Sequence, residues 1–230
     1  MELAERRTAL GELNQGVNGC HACPLSAGRT RAVPGEGPVD AEILLIGEGP
    51  GYYEDQQGRP FVGAAGQFLE TLLASIGLKR SDVFIANVVK CRPPGNRDPL
   101  PEELAACSHW MTEQIDILQP KVVVTLGRYS LARFLPGQPI GKIHGQEKKV
   151  GTQWVMPMYH PAAALHQGSL RKTIEDDFKK IPAVLAKARY EADQAALRPK
   201  PAAQPELATT AAAPIAESSA PQATQMPLFG

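Results

Sequence analysis

Residues 43–61 read ILLIGEGPGYYEDQQGRPF, an apolar run followed by a loop rich in glycine and proline. The run at 43–46 has the length and β-branched content of a buried strand in a parallel sheet. The glycines and prolines after it end regular structure and let the backbone approach a ligand closely. The stretch therefore predicts a parallel sheet whose first strand ends at a binding loop, although a simple turn with a charged rim would also explain the loop.

Later parts of the chain repeat this layout of an apolar run that ends in polar or small residues. The further apolar runs are residues 83–86, 122–126 and 154–158. They lead into Asn87, Gly127 and the Tyr-His-Pro sequence at 159–161. Open α/β sheets bind ligands at the carboxyl ends of their parallel strands, which lie along one edge. We therefore expect one cleft to collect the side chains of Glu48, Glu54, Phe61, Asn87 and His160.

The composition indicates one domain of ordinary size without net charge. The chain has 230 residues, with 24 Lys and Arg against 24 Asp and Glu, so nucleic-acid binding would rely on local basic patches. No apolar stretch approaches the roughly 20 residues of a membrane span, and the charged amino terminus lacks the apolar core of a signal peptide. We expect a cytoplasmic monomer.

Helical patterns alternate with strands from residue 42 to residue 195, which predicts a three-layer α/β/α sandwich around a four-stranded parallel sheet. The folded domain is expected at 1–197. Residues 198–224 are rich in Ala, Pro, Gln, Thr and Ser and cannot bury enough apolar surface to offset their ordering entropy. They are predicted to be a disordered linker to a terminal segment at 225–230.

The four cysteines indicate a metal site more than disulfides, because nothing in the chain is typical of secretion. Cys20 and Cys23 form a Cys-x-x-Cys pair, Cys91 follows the second strand, and Cys107 lies on the next predicted helix. Four thiolates bind zinc or an iron–sulfur cluster, and the spacing does not separate these two. Four unrelated buried thiols are the alternative. Thioredoxin-like chemistry is disfavoured, because the pair does not follow a strand of a βαβ unit.

Several motifs, taken together, resemble those of the family 4 uracil-DNA glycosylases, bacterial and archaeal enzymes that carry a four-iron four-sulfur cluster. The matching segments are GEGPG at 47–51, GRPFVG at 58–63, NVVKCRPPGNRDP at 87–99 and HPAA at 160–163. With the cysteines, the resemblance covers about residues 1–180. It implies that Cys20, Cys23, Cys91 and Cys107 ligate the cluster and that the substrate is uracil-containing DNA.

The resemblance also implies roles for the residues of the expected cleft. Breaking the bond between uracil N1 and deoxyribose C1′ leaves negative charge on the base, which His160 would stabilise by donating a hydrogen bond to O2. The Asn87 amide matches uracil N3–H and O4, and Phe61 would stack on the flipped base. Glu54, or otherwise Glu48, would activate water or support the sugar cation. The remaining expected substrate-binding residues are Gly47, Gly49 and Asn96.

Each of these residues also has an ordinary structural explanation. His160 could cap a turn, Asn87 could be a turn residue at a strand end, and Phe61 could belong to the core. Arg59 and Arg92 are expected beside the cleft, either in contact with phosphates or solvated.

Two other functions stay open for the same scaffold. Residues 142–145, Lys-Ile-His-Gly, resemble a loop in a related uracil-binding group whose histidine becomes covalently attached to DNA after base release. Here that residue would be His144, although the longer basic insertion of that group is missing from this chain. The second alternative is a non-catalytic iron–sulfur protein that binds DNA, because a fold does not guarantee a function.

The sequence Gln-Met-Pro-Leu-Phe at 225–229 resembles the short peptide by which bacterial repair and replication proteins bind the sliding clamp. Gln225 can form hydrogen bonds, and Leu228 with Phe229 can fill an apolar pocket. A flexible linker of roughly 27 residues would span about 30 Å, so the enzyme could work while tethered to the clamp. A chance match is the alternative for so short a motif.

Overall fold

The structure, a computed structural model, describes residues 1–197. The expected linker at 198–224 and the terminal segment at 225–230 lie outside the described residues. Within the described part, no helix is long and apolar enough to cross a membrane.

Five strands and ten α-helices make up the described part of the chain. The strands are β1 (Ile43–Gly47), β2 (Phe84–Asn87), β3 (Val122–Leu126), β4 (Lys148–Val150) and β5 (Gln153–Met158). The helices are α1 (Leu3–Asn18), α2 (Leu25–Gly28), α3 (Tyr52–Gln57), α4 (Ala64–Ser75), α5 (Pro101–Leu118), α6 (Arg128–Phe134), α7 (Ile140–Ile143), α8 (Pro161–His166), α9 (Ser169–Phe178) and α10 (Ile181–Leu197). Short 3-10 helices occupy Arg80–Asp82 and Pro94–Asn96.

The strands form one sheet in the order β2-β1-β3-β5-β4. The pairs β1–β2, β1–β3 and β3–β5 are parallel, which confirms the predicted parallel sheet. The prediction of four strands is wrong by one, because β4 adds an antiparallel edge strand to β5. β4 has only three residues, two of them lysines, and so lacks the apolar run from which a strand is recognised.

The two faces of the sheet carry separate hydrophobic clusters, as a three-layer sandwich requires. Ile43 and Leu45 of β1 point to one face and pack with α4, α9 and α10. Leu44 and Ile46 point to the other face and pack with α1 and α5. Every residue of β1 and β3 is buried, because helices cover both faces of these central strands.

Local sequence signals account for several helix ends. Gly77, with φ of 75°, lies just beyond α4, where glycine tolerates a left-handed conformation. Pro101 opens α5 with two glutamates in its first turn, which favours the amino-terminal end of a helix dipole. Pro182 lies in the first turn of α10, where its missing backbone N–H is tolerated, and α9 ends before it.

Neither edge of the sheet is a bare strand that is fully free to pair with another strand. On the β4 side, Lys148 and Lys149 lie on the outermost strand. On the β2 side, the backbone of Glu36 forms an antiparallel bridge with Ile85, through hydrogen bonds of 2.9 and 2.8 Å.

Candidate active site

A cleft of about 770 Å³ opens at the carboxyl ends of the parallel strands, within the range of small-molecule binding sites. The loop after β1, the residues after β2 and β3, and the start of α8 form its walls. The sequence-predicted residues that line it are Glu48, Gly49, Glu54, Phe61, Asn87, Asn96 and His160. The predicted convergence of the strand ends on one cleft is therefore found in the structure.

Asn87 lines this cleft and carries an unpaired hydrogen-bond acceptor among the described residues. It is the last residue of β2 and only 1% exposed. Its Oδ1 atom is buried and has no hydrogen-bond partner among residues 1–197. Because a buried unpaired polar atom costs about 1–3 kcal/mol, such an atom in a cleft indicates a place where a ligand supplies the missing donor.

His160 is held in one orientation at the start of α8. Its Nδ1 accepts a hydrogen bond of 3.1 Å from the backbone N–H of Ala162, which caps the helix. Burial lowers the pKa of His160 to about 4, although the negative charge of Glu54 opposes this shift. The ring is therefore neutral at pH 7, and with Nδ1 as the acceptor, the proton is on Nε2. His160 is thus both the expected turn cap and a cleft residue with a free N–H.

Phe61 lies against His160 in a strained backbone conformation. Its φ angle is 52°, which is rare for a residue with a side chain, and its ring stacks on that of His160 at 5.5 Å between centroids. Arg80 secures this conformation because its guanidinium donates to the Pro60 carbonyl and, at 2.9 Å, to the Phe61 carbonyl. Phe61 is 5% exposed, so it belongs partly to the core and partly to the cleft wall.

Gly47 makes room for the two residues that flank the cleft floor. A Cβ atom at this position would lie 2.7 Å from two ring carbons of Phe61 and would also collide with Oδ1 of Asn87. Gly47 itself does not line the cleft, and its expected role in substrate binding stays a prediction. Gly49 does line the cleft, and a Cβ there would meet Val89 at 2.8 Å.

The two candidate carboxylates have different surroundings. Glu54 accepts backbone N–H groups on both oxygens, from Val62 and Gly63 at 2.8 and 2.9 Å and from Gly51 at 3.1 Å. Glu54 therefore ties the loop after β1 to the turn that carries Phe61. Glu48 makes no side-chain hydrogen bond among the described residues, and burial, assisted by Asp98, raises the pKa of its carboxyl group.

The basic residues expected beside the cleft are divided between two environments. Arg92 donates from Nε to Oδ1 of Asn96 at 2.7 Å, so it borders the cleft through a residue that lines it. Arg59 forms a two-pronged ion pair with Glu36 at 2.7 and 2.8 Å and does not line the cleft. The expected phosphate contact therefore suits Arg92 and not Arg59.

The four cysteines lie around a second cavity, which shares no lining residue with the cleft. Cys20, Cys23, Cys91 and Cys107 line one small cavity between the amino-terminal segment and α5. Arg29 donates to Sγ of Cys91 at 3.1 Å, and the backbone N–H of Lys90 donates to Sγ of Cys107 at 3.3 Å. Burial raises the pKa of Cys107 to about 11, so a thiolate there needs a bound positive charge.

This cavity has the donor set that a cluster needs. Trp110 also lines it, and its indole N–H is buried without a hydrogen-bond partner in the part of the chain that the structure describes. In the same part of the chain, no group of three or more Cys, His, Asp or Glu side chains converges on one metal-ion position. Four thiols around a shared space, with N–H donors aimed at the sulfurs of Cys91 and Cys107, are a set of ligands that could hold a metal centre.

Comparison with known proteins indicates the same family as the sequence motifs. The model of the Uracil DNA glycosylase superfamily matches residues 34–185. A Type-4 uracil-DNA glycosylase of Sulfurisphaera tokodaii is 48% identical over 186 residues, which cover 75% of this chain and 83% of the relative. The Type-4 uracil-DNA glycosylase of Thermotoga maritima is 44% identical over 180 residues, which cover 76% of this chain and 94% of the relative. This chain belongs to the type-4 uracil-DNA glycosylases.

A Type-5 uracil-DNA glycosylase of Thermus thermophilus is also similar, at 39% identity, but the match covers only 46% of this chain. Membership in the type-4 family confirms the resemblance inferred from the motifs.

His144 lies outside the cleft of this type-4 glycosylase. Its Nδ1 is 2.7 Å from Oδ2 of Asp177, which is 4% exposed on the side chain, and its ring packs against Tyr159 at 4.8 Å between centroids. Tyr159 lines the cleft and His144 does not. The contact with Asp177 gives His144 a structural partner and does not favour covalent attachment to DNA.

Sequence reasoning missed three features of the site. Arg80, which supports Phe61, is 19 residues further along the chain, and no motif connects the two. The unpaired N–H of Trp110 depends on how α5 faces the cysteines, which periodicity does not reveal. Tyr52 and Tyr53 line the cleft while their rings stay largely exposed, although aromatic residues beside a glycine loop would ordinarily be assigned to the core.

Proposed function

We propose that this protein is a DNA repair enzyme that removes uracil from DNA by hydrolysing its N-glycosidic bond and leaves an abasic site. The observation that carries the proposal is the buried, unpaired Oδ1 of Asn87 in a cleft that also holds His160 and Phe61. Membership in the type-4 family supports the same activity. The DNA substrate supports a location in the cytoplasm.

Recognition of uracil follows from the two ends of the Asn87 amide. Oδ1 accepts N3–H of the base, and the amide NH₂ donates to O4. Cytosine carries an acceptor at N3 and a donor at C4, so it would leave both ends of a buried amide mispaired, at about 1–3 kcal/mol for each group. Stacking on Phe61 offsets part of the cost of taking the base out of the helix, with about 1–3 kcal/mol for each stacked base.

His160 stabilises the departing base. As the N1–C1′ bond breaks, negative charge spreads over the uracil ring and its O2 atom. A neutral imidazole whose Nδ1 is fixed by Ala162 donates from Nε2 to this oxygen without reorganisation during the reaction. Donation from a neutral group also leaves the proton on the histidine, so the base departs as an anion.

The two carboxylates have different roles, one toward the sugar and one toward the attacking water. Positive charge develops at C1′, and the negative charge of Glu54 is fixed near it by three backbone N–H groups. Glu48 has a raised pKa and free oxygens, which suits a group that accepts a proton from the attacking water. We therefore favour Glu48 as the general base and assign Glu54 to positioning and charge stabilisation, the reverse of the preference drawn from the sequence.

A labelled single strand with one uracil tests the proposal directly. The strand is incubated with the protein and run on a denaturing gel with and without hot alkali. We expect cleavage at the uracil position only after alkali, which is the property of an abasic site. An unchanged strand would refute the proposed activity, and a slow band that survives denaturation would instead identify covalent capture and bring back His144.

We also propose that Cys20, Cys23, Cys91 and Cys107 hold a four-iron four-sulfur cluster. The shared cavity, its N–H donors and the family resemblance support this assignment. When bound, the cluster supplies a covalent link between the amino-terminal segment and α5. The cavity of the cysteines shares no lining residue with the cleft, so we expect the cluster to have a structural role and no part in base excision.

Replacement of Cys107 with Ser tests the cluster with a readout besides activity. We expect the purified variant to lose iron, acid-labile sulfide and visible absorbance, and to unfold at a lower temperature than the wild type. Ser108→Ala, at an exposed neighbouring position on the same helix, is the control and should keep all of them. Zinc without sulfide in the wild-type protein would contradict the assignment.

A further inference from the structure

Two tyrosines at the mouth of the cleft have large exposed rings. Tyr52 is 52% exposed and Tyr53 60%, at the first two positions of α3, and both line the cleft. Their rings meet edge to face, with 5.4 Å between centroids. Exposed aromatic groups that adjoin a binding cleft mark an interaction surface more than a contribution to stability.

Arg92 completes this surface. Its guanidinium lies 5.2 Å from the centroid of the Tyr52 ring, and its Nε donates to Asn96. Among residues 1–197, Arg92 forms no ion pair, in contrast to the cleft residues Arg97 and Arg128. We call Tyr52, Tyr53 and Arg92 together the aromatic lip.

The charged side chains around the cleft provide only weak electrostatic binding to a phosphate backbone. Arg97 and Arg128 line the cleft, but each is paired with an acidic residue, Glu103 and Asp98 respectively. The whole chain has no net charge either. Because neutralised arginines release few counterions from DNA, affinity has to come in larger part from contacts with the bases.

We infer that the aromatic lip binds an unpaired nucleotide next to the uracil, with its base stacked on a tyrosine ring and its phosphate beside Arg92. This inference rests on the proposed function and adds a preference for single-stranded over duplex DNA. In a duplex the neighbouring base is already stacked and paired, so the lip gains nothing unless that base is also displaced. In a single strand every base has a free π-face that an exposed aromatic ring can bind.

Steady-state excision by lip variants tests the inference. The double variant Tyr52→Ala/Tyr53→Ala is compared with Tyr52→Phe/Tyr53→Phe, which keeps both rings, and with Tyr190→Ala, an exposed tyrosine on α10 that does not line the cleft. For a uracil-containing single strand we expect KM to rise about tenfold in the alanine variant, within the range that one stacked base contributes, while kcat is unchanged. The phenylalanine variant and Tyr190→Ala keep the wild-type KM.

The same variants are assayed on a duplex with uracil opposite guanine, where we expect little change in KM. A second measurement uses a strand with 2-aminopurine beside the uracil, bound by proteins that also carry His160→Ala to slow excision. Stacking on the lip quenches this fluorescence, so the quenching should persist with phenylalanine at both positions and disappear with alanine.

The outcomes separate this inference from the proposed function. If the wild-type protein excises uracil and the alanine variant has unchanged KM and quenching, the lip does not bind the strand and the inference is overturned. An equal rise in KM for the single strand and the duplex would also overturn it. The lip would then contribute equally to binding of both substrates and would give no preference for single-stranded DNA. If the wild-type protein excises no uracil from either substrate, the proposed function itself fails.

Discussion

The Asn87 side chain lowers the stability of the free protein, because it buries a polar atom that only a bound substrate would pair. Its Oδ1 is buried without a partner within residues 1–197, so Asn87→Ala removes about 1–3 kcal/mol of unsatisfied polar burial. We therefore expect the variant to be as stable as the wild type or more so, while it loses roughly 100-fold in kcat/KM for uracil because two hydrogen bonds to the base are gone. Thermal unfolding and single-turnover excision measure the two effects.

Asn14 on α1 provides a matched control for this prediction. Its Oδ1 is also buried and unpaired among the described residues, but Asn14 lies outside the cleft. Asn14→Ala should therefore leave excision unchanged and should not lower stability. A clear loss of stability in Asn87→Ala, with activity kept, would mean that the amide serves the fold instead of the base.

His160 predicts a pH dependence of stability. Its pKa is lowered by burial from 6.5 to about 4, so the unfolded chain takes up the proton first as the pH falls. The stability that the neutral ring contributes is fully present above pH 6.5 and is lost progressively between pH 6.5 and pH 4. His160→Asn keeps a capping side chain for α8 but does not titrate. Denaturant unfolding across this window should show a shallower decline for the variant, and parallel curves would contradict the prediction.

At the residue scale, the sequence predicted which residues line the cleft better than it predicted their contacts. Asn87 and His160 were identified because each follows an apolar strand, and strand ends share an edge. The support of Phe61 by Arg80 was not predictable, because it depends on the left-handed backbone of Phe61 and on where a distant 3-10 helix lies. The bonding of Glu54 was likewise missed, since its N–H partners belong to a loop of irregular geometry.

At the scale of elements, the end of β1 controls the shape of the cleft floor. Gly47→Ala places a methyl group against Phe61 and Asn87, and both must move for the variant to fold. We expect a loss of excision of at least about tenfold, because displacements of about 1 Å in a catalytic site have large effects on rate. Single-turnover excision at saturating enzyme measures it.

Gly11→Ala in the middle of α1 is the control for this change. A Cβ atom there meets nothing within 4 Å, so the substitution should raise stability by about 0.5–1 kcal/mol and leave excision unchanged. Wild-type activity in Gly47→Ala would show that Phe61 and Asn87 tolerate displacement, against the packing argument.

Helices with a long periodic pattern of apolar residues, and strands formed by a run of apolar residues, were predictable from the sequence. β1 and β3 are of this kind, and each was expected within a few residues of its observed bounds. β4 was not, because a three-residue strand with two lysines owes its place to the hairpin with β5 and not to its own sequence. The local sequence of such a short strand does not show which neighbouring strand it will pair with.

At the scale of the whole molecule, the terminal segment carries a prediction of its own. We propose that residues 225–229 bind the sliding clamp, with residues 198–224 as the connection to the domain. Deletion of residues 225–230 should abolish clamp binding in a pulldown and leave excision on free oligonucleotides unchanged. Leu228→Ala/Phe229→Ala tests the apolar anchors within the full-length chain and should have the same effect. Clamp binding that survives both changes would reject the proposal.

The two protected edges of the sheet have a consequence for how the protein behaves at high concentration. A bare strand edge pairs with the edge of another molecule, which leads to polymerisation. Here the bridge between Glu36 and Ile85 occupies the hydrogen-bonding groups on one side, and the lysines of β4 repel a second copy on the other. We therefore expect edge-to-edge association to be disfavoured at high concentration, and the monomeric state stays a prediction.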